Sequence, residues 1–136
     1  MAGERDLQTL LKAMQPELQD GVFVFCMVGA DTDVPAGLKP LLLFREREGI
    51  TLVVRRNEAE RAGLPYQFAS RLITLTVHSA LDAVGFLAAI TTQLAAAGIS
   101  VNAVSAFHHD HLLVPENRAE EALQLLLAIS RTRISG

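Results

Sequence analysis

Apolar residues change their spacing several times along the chain, and each change marks an element. Leu7, Leu10, Leu11 and Met14 fall at i, i+3, i+4 and i+7, which predicts an amphipathic helix over Asp6–Met14 with Pro16 just beyond its end. Asp20-Gly21 reads as a turn. The unbroken β-branched and aromatic run Val22–Val28 predicts a strand buried on both faces. Gly29–Lys39, with Asp31, Asp33, Pro35 and Gly37, is a loop by composition. Leu41–Arg45 and Ile50–Arg55 flank Glu46–Gly49 and predict a hairpin. Asn57 is placed to cap a short helix, Glu58–Ala62, that stops at Gly63 ahead of Pro65.

The second half begins with Arg71–His78, which alternates well: Ile73, Leu75 and Val77 point one way, Thr74, Thr76 and His78 the other. A helix is predicted over Asp82–Ala97, ending at Gly98. Ile99–Phe107 and Leu112–Val114 read as strands around a tight connection at His108–Asp110. Asn117 and Glu120 fit a capping box for a last helix running through Leu123, Leu126 and Ile129, with Arg131–Gly136 left over. The halves read α-β-β-β-α and β-α-β-β-α. Neither holds a complete β-α-β-β-α-β set, and an open unit of this kind leaves a bare sheet edge. The halves are therefore expected to complete each other, or to be completed by a second chain, with Arg71–His78 near the middle and shared.

Composition narrows the function classes. The chain has 136 residues, 50% apolar and 20% charged, so it is globular and has room for one typical domain or two small modules. Its net charge is −3, and no Lys/Arg run exceeds Arg55-Arg56, which argues against nucleic acid. The first twenty residues carry too many charges for a signal peptide, and no apolar run approaches the ~20 residues of a membrane span. The lone cysteine, Cys26, excludes an intramolecular disulfide and reads as a small buried hydrophobe. A cytoplasmic location follows as the default.

Catalytic constellations do not stand out. Ser79 follows His78, but adjacency is not a triad, and Gly29–Thr32 lacks the Gly-Lys-Ser/Thr ending of a phosphate loop. Asp31 and Asp33 lack the further ligands of a calcium loop. His108, His109 and His111 with Asp110 suggest zinc or nickel. Strand alternation, however, puts His109 and His111 on one face and His108 and Asp110 on the other, and two ligands do not make a closed site, so a structural hairpin is the preferred reading. Gly85 is the most informative residue. It stands in the first turn of a predicted helix, where Gly costs about 1 kcal/mol relative to Ala. Two readings stay open. Gly85 relieves helix–strand crowding, or it leaves the amides of Val84, Gly85 and Phe86 open as a seat for a carboxylate.

Ile73–Val77, the Val84-Gly85-Phe86-Leu87 turn and Ala97–Phe107 resemble an ACT domain of the aspartokinase type. Phe107–Pro115 with Arg118–Leu123 is similar to small bacterial tandem ACT proteins, and so are Gly21–Cys26, Phe44–Leu52 and Ala62–Pro65 in the first half. The whole also resembles half of the four-module cytosolic arginine sensors of animals. The resemblance implies a ferredoxin-like βαββαβ unit that binds a small ligand, most often an amino acid, at an interface between modules. Position by position it points to Ser79, Val84, Gly85 and Phe86 at the loop and helix start, and to Ser100 and Val101 at the next strand. Val84 stands where many ACT domains carry Pro, and Ser100 where the aspartokinase branch often has Asn.

The combined expectation is an α+β protein of two interleaved ferredoxin-like (βαββαβ, ACT) modules, residues 1–70 and 71–136, with helices on one face of an antiparallel sheet. Apolar surface on the Ala-rich and Leu-rich helices points to a homodimer. The expected function is non-enzymatic sensing of a small amino acid, with no cofactor, metal, nucleic acid or membrane. A ligand-free protein–protein interaction module is the alternative, and a metal-dependent enzyme using His108–His111 a third reading.

Overall fold

The computed structural model describes residues 3–77 and 79–135. Two compact units form: Met1–Asp20 with Arg71–Gly136, and Gly21–Ser70.

The first unit begins with α1 (Leu7–Ala13), as the apolar spacing predicts. Asp6 caps it, accepting from the Thr9 amide at 2.9 Å and the Thr9 hydroxyl at 2.7 Å. Pro16 does more than stop the helix. It opens a short strand, β1 (Pro16–Leu18), too brief for a periodicity to reveal. β1 pairs antiparallel with β5 (Gln67–Leu75), Leu18 opposite Ile73. After β5 come α3 (Phe86–Ala96), β6 (Asn102–Ser105), β7 (Asp110–Pro115), a 3-10 turn over Glu116–Arg118 and α4 (Ala119–Ser135). Strand order is β1-β5-β7-β6. Counted from β5 that is 4-1-3-2, with the fourth strand supplied by the first twenty residues. Leu10, Leu11, Ile73, Leu75, Ile90, Leu94, Leu112 and Leu126 are buried in one core. Each such side chain contributes roughly 1.5–3 kcal/mol by leaving water.

The second unit holds β2 (Phe23–Val28), β3 (Leu42–Arg45), β4 (Ile50–Arg55), α2 (Arg56–Arg61) and the first residues of β5. Its strand order is β3-β4-β2-β5, and the β2–β4, β3–β4 and β2–β5 pairs are antiparallel. The loop after β2 occupies the place of the first helix of a βαββαβ set. Val24, Cys26, Val28, Ile50, Leu52 and Val54 form the core with Ala59 of α2.

Several sequence expectations change here. β2 is not buried on both faces: Met27 is 61% exposed, because its side chain lies on the face opposite Cys26 and Val28. Asn57 lies inside α2 rather than capping it, and among the described residues no side-chain hydrogen bond caps that helix. β5 begins four residues before Arg71 and ends at Leu75. Its entry passes through Phe68 at φ 60, where the register against β2 shifts. β6 is much shorter than Ile99–Phe107, and β7 starts at Asp110. The turn closes at Ala106–His109, where the Ala106 amide donates to the His109 carbonyl at 3.0 Å. α4 has no Asn117–Glu120 capping box among the described bonds, because a 3-10 turn precedes it, and it runs on to Ser135. Arg118 instead donates to the Ala97 carbonyl at 3.0 Å and pairs with Glu121 at 2.7 Å, tying the end of α3 to the start of α4.

Candidate functional site

The loop between β5 and α3 carries three of the six sequence-predicted site residues, Ser79, Val84 and Gly85, and a fourth, Phe86, opens α3. Its entry is anchored: Ser79 is 7% exposed, its amide donates to the Val77 carbonyl at 3.0 Å, and its hydroxyl donates to the Asp110 carboxylate at 2.8 Å. Asp110, the first residue of β7, is itself buried. It therefore serves as an internal acceptor and not as a turn residue. Residues 110, 112 and 114 alternate onto one face, and Leu112 and Val114 are core, so this position was readable from the pattern. His78 lies outside the described residues.

At the other end of the loop, Val84 is 84% exposed. Gly85 has φ +92, a left-handed conformation that L side chains rarely adopt. It is the N-cap of α3, so the helix starts at Phe86 and not at Asp82. The donors without intrahelical acceptors are thus the amides of Phe86, Leu87 and Ala88, two residues later than the Val84–Phe86 amides the sequence suggested. Among the described residues no side-chain hydrogen bond caps this end. Among the described residues a Cβ on Gly85 would find only the Leu7 side chain, at 3.7 Å. The Phe86 side chain points into the core and offers nothing to a ligand except its amide.

Ser100 is exposed, and Val101 is half-buried against the same core as Phe86. Both precede β6 and lie in the connection after α3, not in a strand. Asp82 lies on the loop. The Arg5 guanidinium holds its carboxyl below the ordinary range through a 2.9 Å hydrogen bond.

A cleft of about 310 Å³ in this unit lies between Leu11, Ala88, Ala89, Thr92, Gln93 and Ile129. None of the six sequence-predicted site residues lines it. In the second unit a cleft of about 170 Å³ is bordered by Gly37, Leu38, Glu58 and Arg61.

His108, His109 and His111 lie on the β6–β7 hairpin. His111 Nδ1 is 3.1 Å from the Thr74 hydroxyl, and the His109 and His111 rings are 6.4 Å apart. Burial lowers the His111 pKa from its ordinary value, and His109 lowers it further, against a raising effect of Asp110. Among the described residues no group of three or more His, Cys, Asp or Glu side chains is placed to hold a metal. Cys26 is buried, and burial raises its thiol pKa.

Two family models, each for an ACT domain, match the chain in tandem, over residues 2–71 and 67–128. The chain belongs to the ACT-domain family. This ACT-domain protein is 43% identical to a Vibrio cholerae protein of unknown function, called a possible transport protein. That match covers 91% of this chain and 95% of the other, with a TM-score of 0.81. An Agrobacterium tumefaciens protein is 21% identical over 86% of this chain and 89% of its own, with a TM-score of 0.73. The regulatory subunit of aspartate kinase from Thermus flavus shares the fold at 12% identity, covering 95% and 99% of the two chains with a TM-score of 0.63. Among curated proteins none matches the chain. ACT domains are regulatory ligand-binding modules, and these comparisons give the present ACT protein that general character. No helix among its described residues is long and apolar enough to cross a membrane.

Proposed function

We propose that this protein is a regulatory receptor for a small amino acid and performs no catalysis itself. The ligand's α-carboxylate is seated on the open amides at the start of α3, beside Val84 and Gly85. Its ammonium group faces backbone carbonyls and the hydroxyls of Ser79 or Ser100, with Val101 alongside. A homodimer in the cytoplasm encloses the site, and ligand binding changes an interface between modules. The observation that carries this reading is the helix start itself: Gly85 is left-handed, carries no side chain, and leaves α3 uncapped next to an exposed residue.

Thermal shift against the twenty amino acids, followed by calorimetry on any hit, tests the reading. At least one amino acid is expected to bind with a Kd below about 1 mM, a binding free energy of roughly 4 kcal/mol, and Gly85→Leu is expected to abolish the hit. No response to any amino acid would overturn it.

A second reading, a ligand-free interaction module, is favoured by one fact: Ser79 is buried, its hydroxyl turned inward to the buried Asp110. It predicts a stable dimer by light scattering that no amino acid alters.

A further inference from the structure

The loop ahead of α3 is held from outside by a segment distant in sequence. Glu4 bridges Ser79 in parallel, and the Ala80 amide donates to the Glu4 carbonyl at 2.8 Å. Arg5 grips Asp82 with two bonds, Nε to Oδ1 at 2.9 Å and a terminal guanidinium nitrogen to Oδ2 at 3.2 Å. Gly3 lies so close that a Cβ there would stand 2.7 Å from the Ala80 nitrogen and 2.7 Å from the Ser79 carbonyl carbon. These contacts are backbone or ionic, and the ion pair is 59% and 69% exposed on its two sides. Ionic contacts this exposed open far more readily than packed apolar ones. The segment's other end is fixed, because Asp6 caps α1 and Leu10 and Leu11 lie in the core. Gly3–Arg5 is thus a strap that runs into α1 and lies on the loop that leads to Gly85.

We propose that Gly3–Arg5 positions the ligand corner. With the strap docked, the loop presents Ser79 and the start of α3 in binding geometry; with the strap released, the loop loosens and ligand affinity falls. The effect on binding rests on the reading of this corner as an amino-acid site, whereas the effect on the loop does not. Arg5, Gly3 and Glu4 are positioning residues, acting through Ser79, Ala80 and Asp82.

Hydrogen exchange on the full chain separates the two effects. Gly3→Val leaves no room for docking, and Arg5→Asp replaces the ion pair with repulsion. Each is expected to speed exchange of the Ala80 amide by about tenfold or more while the α4 amides keep their rates. Joining Arg5→Asp with Asp82→Arg is expected to restore slow exchange. Unchanged Ala80 exchange in both single variants, or equal acceleration in α4, would overturn the strap. Calorimetry then uses whichever of the twenty amino acids most raises the wild-type melting temperature. Its affinity is expected to fall about five- to tenfold in Arg5→Asp and to recover in the double variant. An opened loop with unchanged affinity overturns the positioning role. A wild-type chain that binds none of the twenty overturns the amino-acid reading and the strap's effect on binding, while exchange still decides its hold on the loop.

Discussion

The Ser79 hydroxyl donates to the Asp110 carboxylate across 2.8 Å, and both residues are buried. One bond therefore joins the loop ahead of α3 to the first residue of β7. Removing the acceptor leaves a buried hydroxyl unsatisfied, a loss of about 1–3 kcal/mol. Asp110→Ala is expected to lower stability by that amount in urea unfolding. Asp110→Asn keeps an acceptor oxygen and is expected to lose less.

Gly85→Ala tests the backbone rather than the space around it. The added Cβ has room, since its nearest neighbour would be Leu7 at 3.7 Å, but φ +92 disfavours any L side chain. A loss of roughly 1–2 kcal/mol is expected, read from the unfolding midpoint, or a reset of the helix start visible in the amide chemical shifts of Phe86–Ala88.

The pKa of His111 is lowered in the folded chain, chiefly by burial, from an ordinary value of 6.5. Below that value the unfolded chain takes up a proton that the folded chain resists. Stability contributed by neutral His111 is therefore present above about pH 6.5 and is lost as pH falls through the folded value. Urea midpoints measured between about pH 7.5 and about pH 5 are expected to decline, and His111→Gln is expected to flatten part of that decline.

Leu10 of α1 is fully buried among residues of β5, α3, β7 and α4. Leu10→Ala is expected to cost about 2–5 kcal/mol. Exchange rates should rise across α3, β7 and α4, a result that a helix packed only on its sequence neighbours would not give.

Much of the fold was legible because spacing alone carries it. The i, i+3, i+4 pattern around Leu7 and the hairpin around Glu46–Gly49 yield elements within a residue or so of those observed. Burial of Met27 was misread because a continuous apolar run looks the same whether one face or both are covered. β1 was missed because three residues after a proline show no period. Its existence depends on Ile73 and its neighbours, more than fifty residues away.

At the candidate site, Gly85 was legible as a special position, but its left-handed φ was not. That φ moved the helix start from Asp82 to Phe86. Asp110 was misplaced for another reason. Asp has a strong turn preference, and here alternation with Leu112 and Val114 overrides it. Glu4, Arg5 and Asp82 carried no local signal at all, because their pairing is made by tertiary placement.

The first unit draws its strands and helices from both ends of the sequence, whereas Gly21–Ser70 is one uninterrupted stretch. On the ribosome the two therefore mature in an order opposite to their first residues. The stretch 21–70 has all its parts once residue 70 clears the exit tunnel. Leu10 and Leu11 emerge before it, yet must wait for Leu126, the far wall of their shelter, to be translated.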